Sequence, residues 1–154
     1  MRAASALAFA ALVALCSPRL HAQDAGPASP PDRIVVDASG FRSDRGHVRC
    51  ALYASADDFP RHAERAVASV SATIRGARAV CAFLGVAPGT YAVSLHHDED
   101  DEGDFDTGIF GIPTEGVGAS RDARGSMGPP SFRDAQFEFA GGELELRVRM
   151  QYVF

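Results

Sequence analysis

Apolar side chains recur at every second position through most of this chain, and that period dictates extended strands with one buried face. Leu144, Leu146, Val148, Met150 and Tyr152 alternate with Glu143, Glu145, Arg147, Arg149 and Gln151. Tyr91, Val93 and Leu95 share one face and Ala92, Ser94 and His96 the other, after a turn at Pro88-Gly89-Thr90. The pattern also marks residues 34–36, 47–54, 67–75 and 79–84, and Gly76-Ala77 offers a hairpin turn between the last two. Residues 135–140 form another, aromatic-rich, strand candidate. Only residues 57–66 hint at helix, one or two turns capped near Asp57 or Asp58 and shortened by Pro60. Short strands punctuated by Gly and Pro, with one wet and one dry face, predict an all-β fold: an antiparallel β-sandwich of about seven strands with a long ordered loop.

The sequence opens with a different chemistry. Met1-Arg2 precedes an apolar stretch from Ala3 to Cys16, and Leu20-His21-Ala22 follows, which reads as a secretory signal peptide over residues 1–22. A stretch of about 14 apolar residues spans only ~21 Å as a helix, short of the ~30 Å hydrocarbon core, so a membrane anchor is the weaker reading. Leu15 stands where lipoprotein processing before Cys16 would want a small residue. Cleavage after Ala22 removes Arg2 and Arg19 but no acid, leaving 13 Arg against 20 acids, a net charge of −7. Residues 23–32 are rich in Pro, Ala and Gly and read as a flexible linker, with the sandwich domain over residues 33–154. The expected location is the periplasm or the exterior, with no transmembrane helix left after cleavage.

Composition excludes several function classes. Fifteen basic residues against 20 acids give a net charge of −5 for the whole sequence, so the basic face that grips nucleic acid is missing. Three cysteines without a Cys-x-x-Cys pair leave no thiolate zinc site. In an oxidising compartment Cys50 and Cys81 either pair as a disulfide, if their Cα atoms lie within about 7 Å, or sit apart as small buried residues. Gly-x-Ser-x-Gly and phosphate-loop patterns are absent. The alternation running to a terminal Phe154 resembles an outer-membrane barrel strand, but residues 98–130 supply no further membrane-length segments.

One loop carries chemistry. Seven of the nine residues from Asp98 to Asp106 are acids. Carboxylates within ~6 Å of one another raise each other's pKa unless a cation neutralises them. Asp98, Asp100 and Glu102 fall at positions 1, 3 and 5 of a calcium-loop pattern, Gly103 at 6 and Asp106 at 9, with Asp104 offering its backbone carbonyl. Alternate oxygens then point inward while the glycine permits the sharp turn. Position 5 is Glu rather than Asp or Asn, and position 12 is Ile109, so Glu115 is the outside candidate for the missing acid. Oxygen-only donors on a loop favour calcium over zinc or copper and over the stricter geometry of magnesium. The plain alternative is a solvated acidic turn, with Arg121 and Arg124 of the following Gly-Pro-rich connection as neutralisers. That connection, from Thr107, has few strand signals and several apolar anchors, which predicts an ordered cover loop.

His96 and His97 adjoin the acids, but adjacent strand residues point to opposite faces, so both rings cannot readily share one metal. A structural role for His97 is the expectation. The enzymatic alternative is a metal-assisted hydrolase using His97 with Asp98 or Glu115 in acid/base roles, although no nucleophile is identifiable.

With HDEDDEGDFD, GIPTEGVGAS and GPPSFRDAQFEF in view, the sequence is similar to a bacterial exported family catalogued as domain of unknown function 2141. The resemblance begins near Ile34 and runs to the last strand. In that family the loop resembles His-Asp-x-Asn-x-Asn-Gly-x-Leu-Asp, onto which His97, Asp98, Asp100, Glu102, Gly103, Phe105 and Asp106 map, with acids at both Asn positions here. It implies an exported β-sandwich similar to transthyretin-like or collagen-binding B-type domains and supplies no activity. The functional expectation is therefore a non-enzymatic binding or structural module of the cell envelope with a calcium loop, its partner an unidentified protein or envelope ligand. A structural component without ligand, or a protein associated with an outer-membrane barrel, are the alternatives.

Overall fold

The computed structural model describes residues 32–103 and 114–153. The expected signal segment, the linker through residue 31, and loop residues 104–113 lie outside them. Among the described residues eight strands form: β1 (Arg33–Ser39), β2 (His47–Tyr53), β3 (Ala68–Thr73), β4 (Arg78–Leu84), β5 (Gly89–Asp98), β6 (Gly116–Ala119), β7 (Phe137–Phe139) and β8 (Glu143–Arg149). One sheet has the order β4-β1-β8. The other has the order β3-β2-β5-β6, with β7 also paired to β5. The molecule is an all-β sandwich, as the alternation predicts.

The period-2 residues fill the space between the sheets. Ile34, Val36 and Ala38 of β1, Val48, Cys50 and Leu52 of β2, Ala79, Cys81 and Phe83 of β4, and Tyr91, Val93 and Leu95 of β5 form one buried cluster with Val148 and Met150. Cys50 and Cys81 meet inside it as a disulfide, Cα to Cα 6.5 Å, tying β2 of one sheet to β4 of the other. Of the two readings open for these cysteines, the pair is the one that forms.

Four features depart from the sequence expectation. First, β1 and β8 pair in parallel, Arg33 opposite Glu143 through Ser39 opposite Arg149, while the other pairings among the described strands are antiparallel. A parallel pair needs a long crossover, and everything between residues 39 and 143 supplies it. Second, Gly76 and Ala77, both at positive φ, do turn the backbone, with Arg75 and Arg78 bridged across them. The strands beyond then diverge into different sheets, so the turn makes a corner rather than a paired hairpin. Third, residues 57–66 hold turns and one 3-10 turn at Ala63–Arg65 rather than an α-helix. The short α1 (Phe132–Ala135) arises elsewhere, with the Ser131 hydroxyl accepting the Asp134 N–H at its start.

Fourth, the outer face of β5 is not wet. Ala51, Tyr53, Phe59, Ala92, Ala119 and Ala135 form a second buried cluster beneath the segments that lead into β3 and β7. The small side chains at 51, 92 and 119 let those segments lie close, so β5 is covered on both faces. The connection read as a loop also contains β6. Gly118 is tightly enclosed, since a Cβ there would come within 3.0 Å of Val148 and 3.2 Å of the Met150 sulfur and would have to push those side chains aside.

Candidate metal centre

Register on the outer face of the larger sheet assembles the site. His47 pairs with Asp98 and Arg49 with His96 between β2 and β5, while His97 pairs with Gly116 between β5 and β6. One step beyond that last pair, Glu115 comes beside Asp98. Gly116 is required there, because a Cβ would lie 2.4 Å from the Tyr152 ring. Gly46, at φ +62°, closes the other side, where a Cβ would fall 1.9 Å from the Asp98 carbonyl oxygen.

Asp98 is the last residue of β5 and is 0% exposed. Its Oδ2 accepts the Arg49 Nε–H at 2.5 Å and the Gly103 N–H at 3.2 Å. Gly103 sits at φ +85° and carries the guanidinium against its backbone, 3.2 Å from where a Cβ would be. The other oxygen, Oδ1, is buried with no hydrogen-bond partner among the described residues. Glu115, 6% exposed, accepts the Glu99 N–H at 2.9 Å through Oε1 and meets His96 Nε2 through Oε2. Asp100 accepts the Glu102 N–H at 3.3 Å.

Asp98, Asp100 and Glu115 each bring one oxygen to within 4.8 Å of the other two. Oxygens bound to one calcium ion at roughly 2.3–2.6 Å lie at most about 5 Å apart, so the trio is close enough to share an ion. A buried carboxylate oxygen left unpaired costs about 1–3 kcal/mol or more, and a cation removes that cost. The donor set is all oxygen and all carboxylate, the chemistry that suits a hard divalent ion.

Of the residues nominated from spacing, the structure brings together Asp98, Asp100 and Glu115. Glu102 is exposed and stands outside the trio, and Asp104 and Asp106 lie outside the described residues. The neutralisers also differ from the expectation. Arg121 donates to the Gln136 carbonyl at 3.2 Å, and among the described residues neither Arg121 nor Arg124 forms an ion pair with the loop. The groups that meet the loop acids are Arg49 on Asp98, Arg42, whose Nε is 2.6 Å from Glu99 Oε1, and His47, whose Nδ1 is 2.6 Å from Asp101 Oδ1. Arg42 and Arg49 lie far upstream of the loop in sequence, and only strand register places them there.

Electrostatics follow from these partners. Burial pushes the Asp98 carboxyl up, but the Arg49 hydrogen bond and charge, the His96 ring and the Gly103 N–H together hold it below the usual carboxylate value. The Arg42 hydrogen bond holds Glu99 below its usual value against a smaller effect of burial. Asp98 is thus ionised at neutral pH, as a ligand must be.

His97 lies on the opposite face, wholly buried, its ring edge-on to Phe41 with centroids 5.1 Å apart. Its Nε2 is 2.9 Å from the Arg45 carbonyl, which only accepts, so Nε2 donates there, and Nδ1 is 2.7 Å from the Tyr152 hydroxyl. Glu99 Oε1 is farther from Nδ1, at 3.4 Å. Both ring nitrogens are committed, and neither Asp98 nor Glu115 is among their partners; it is His96 that meets Glu115.

The comparisons add a family. No curated protein and no solved structure matches the sequence. A family described as an uncharacterized protein conserved in bacteria, domain of unknown function 2141, matches residues 36–147. That match takes in every strand that builds the site, from β2 through β6, and the protein belongs to this bacterial family.

Proposed function

We propose that the protein is an exported, non-enzymatic β-sandwich module that takes up calcium at Asp98, Asp100 and Glu115 and acts as a binding or structural component of the cell envelope. The carrying observation is the Asp98 carboxylate, wholly buried with one oxygen unpaired among the described residues, in a trio with Asp100 and Glu115 whose ligand oxygens lie within 4.8 Å of one another. Export to the periplasm or exterior is supported by the leader-like residues 1–22 and by the cross-sheet disulfide, a bond that oxidising compartments preserve. Partners are an unidentified envelope protein or ligand.

Isothermal titration with calcium at near-physiological salt tests the site. The wild-type protein should bind with a dissociation constant of about 10⁻⁴ to 10⁻³ M, the range of extracellular modules, and Asp98→Asn and Asp100→Asn should abolish the heat. A second reading, a structural module without ligand, is favoured by the 2.5 Å bond between Arg49 and Asp98. Absence of heat in the wild-type protein would select it.

A further inference from the structure

We infer that Arg49 is a tethered competitor for the cation: its guanidinium holds the positive position beside Asp98 when no ion is bound, and so sets how weakly the cluster binds calcium. This rests on the calcium reading above and names the residue that regulates that site.

The geometry carries it. Arg49 neutralises one oxygen of a carboxylate that solvent cannot reach, through Nε at 2.5 Å, and leaves the other oxygen unpaired. Its side chain is 46% exposed. Its two terminal nitrogens have no hydrogen-bond partner among the described residues, so Asp98 is the one group there that holds the head in place. A second positive charge arriving at Asp98 meets repulsion from the first, and arginine stays protonated at every accessible pH, so the competition persists under all ordinary conditions. Without Arg49 the empty cluster would hold a buried carboxylate stripped of its ion-pair partner, which is destabilising. Arg49 therefore stabilises the empty protein and weakens the loaded one.

Calcium titration of wild-type, Arg49→Gln and Arg49→Lys proteins tests this. A hydrogen bond to a charged group is worth enough that R49Q should bind calcium about tenfold or more tightly than wild type. R49K, which keeps the charge, should stay closer to wild type than R49Q. R49Q binding equally or more weakly while the wild type binds would overturn the inference and leave the calcium site intact. No binding by the wild type would overturn the calcium reading itself. If R49Q does not fold, the wild-type Arg49 Nε–H resonance serves: it should shift in step with calcium saturation, and a signal unmoved through saturation would overturn the inference.

Discussion

Arg49 Nε lies 2.5 Å from Asp98 Oδ2, while Oδ1 of the same buried carboxylate has no hydrogen-bond partner among the described residues. Half of this group is satisfied by the protein and half is left for something else. Asp98→Asn should remove the ion pair with Arg49 and lower the stability of the calcium-free protein by about 1–3 kcal/mol. Urea denaturation of wild type and variant in chelator checks this, and an unchanged midpoint would mean that the pair contributes nothing.

Acid should weaken the fold in a defined window. Asp98 and Glu99 both have folded pKa values below their ordinary ones, so each contributes stability that is fully present above its unfolded value, about 3.9 for Asp and 4.3 for Glu. That contribution is lost as pH falls through the lower folded value. The urea midpoint should be flat above about pH 5 and drop below about pH 4, and Arg42→Gln should make the drop shallower. A midpoint that holds or rises on acidification would contradict the assignment.

The disulfide should stabilise through the unfolded state. Cys50 and Cys81 are 31 residues apart, and closing a loop of that size is worth about 3–4 kcal/mol if loop-closure entropy is the source. The Cys50→Ala/Cys81→Ala protein should lose about that much in equilibrium denaturation. Stability equal to that of the oxidised wild type would refute the contribution.

Tyr152→Phe tests the buried His97 hydrogen bonds. The hydroxyl accepts the Arg42 N–H at 3.1 Å and is hydrogen-bonded to His97 Nδ1 at 2.7 Å. Its removal leaves a buried ring nitrogen without that partner, and stability should fall by about 1–3 kcal/mol. No change in the denaturation midpoint would show that neither bond contributes.

Much of this architecture is legible because a strand writes itself into sequence only when its side chains alternate. β5 and β8 do so, through Tyr91, Val93 and Leu95 and through Leu144, Leu146 and Val148. β6 does not, because two of its four residues are Gly116 and Gly118, positions where any side chain would run into Tyr152, Val148 and Met150. The parallel pairing of β1 with β8 is equally hidden, since it depends on how the polypeptide passes from one sheet to the other. At the site, Asp98 and Asp100 are marked by spacing and Glu115 by the lack of a twelfth-position acid. The placement of Arg49 on Asp98 and of His96 on Glu115 leaves no local mark, because it is a property of the β2–β5–β6 register rather than of any motif. Arg121 and Arg124 are plausible neutralisers by sequence proximity alone, and Arg121 instead holds the Gln136 carbonyl.

The claim on which the rest turns is that the unpaired Asp98 oxygen belongs to a calcium ion. Diffraction from crystals grown with calcium at roughly ten times the expected dissociation constant, about 10 mM, tests it most directly. The expected result is an ion in contact with Asp98 Oδ1, Asp100 and Glu115. Crystals in which that oxygen is met only by protein or water, with no ion among the three carboxylates, would contradict the account.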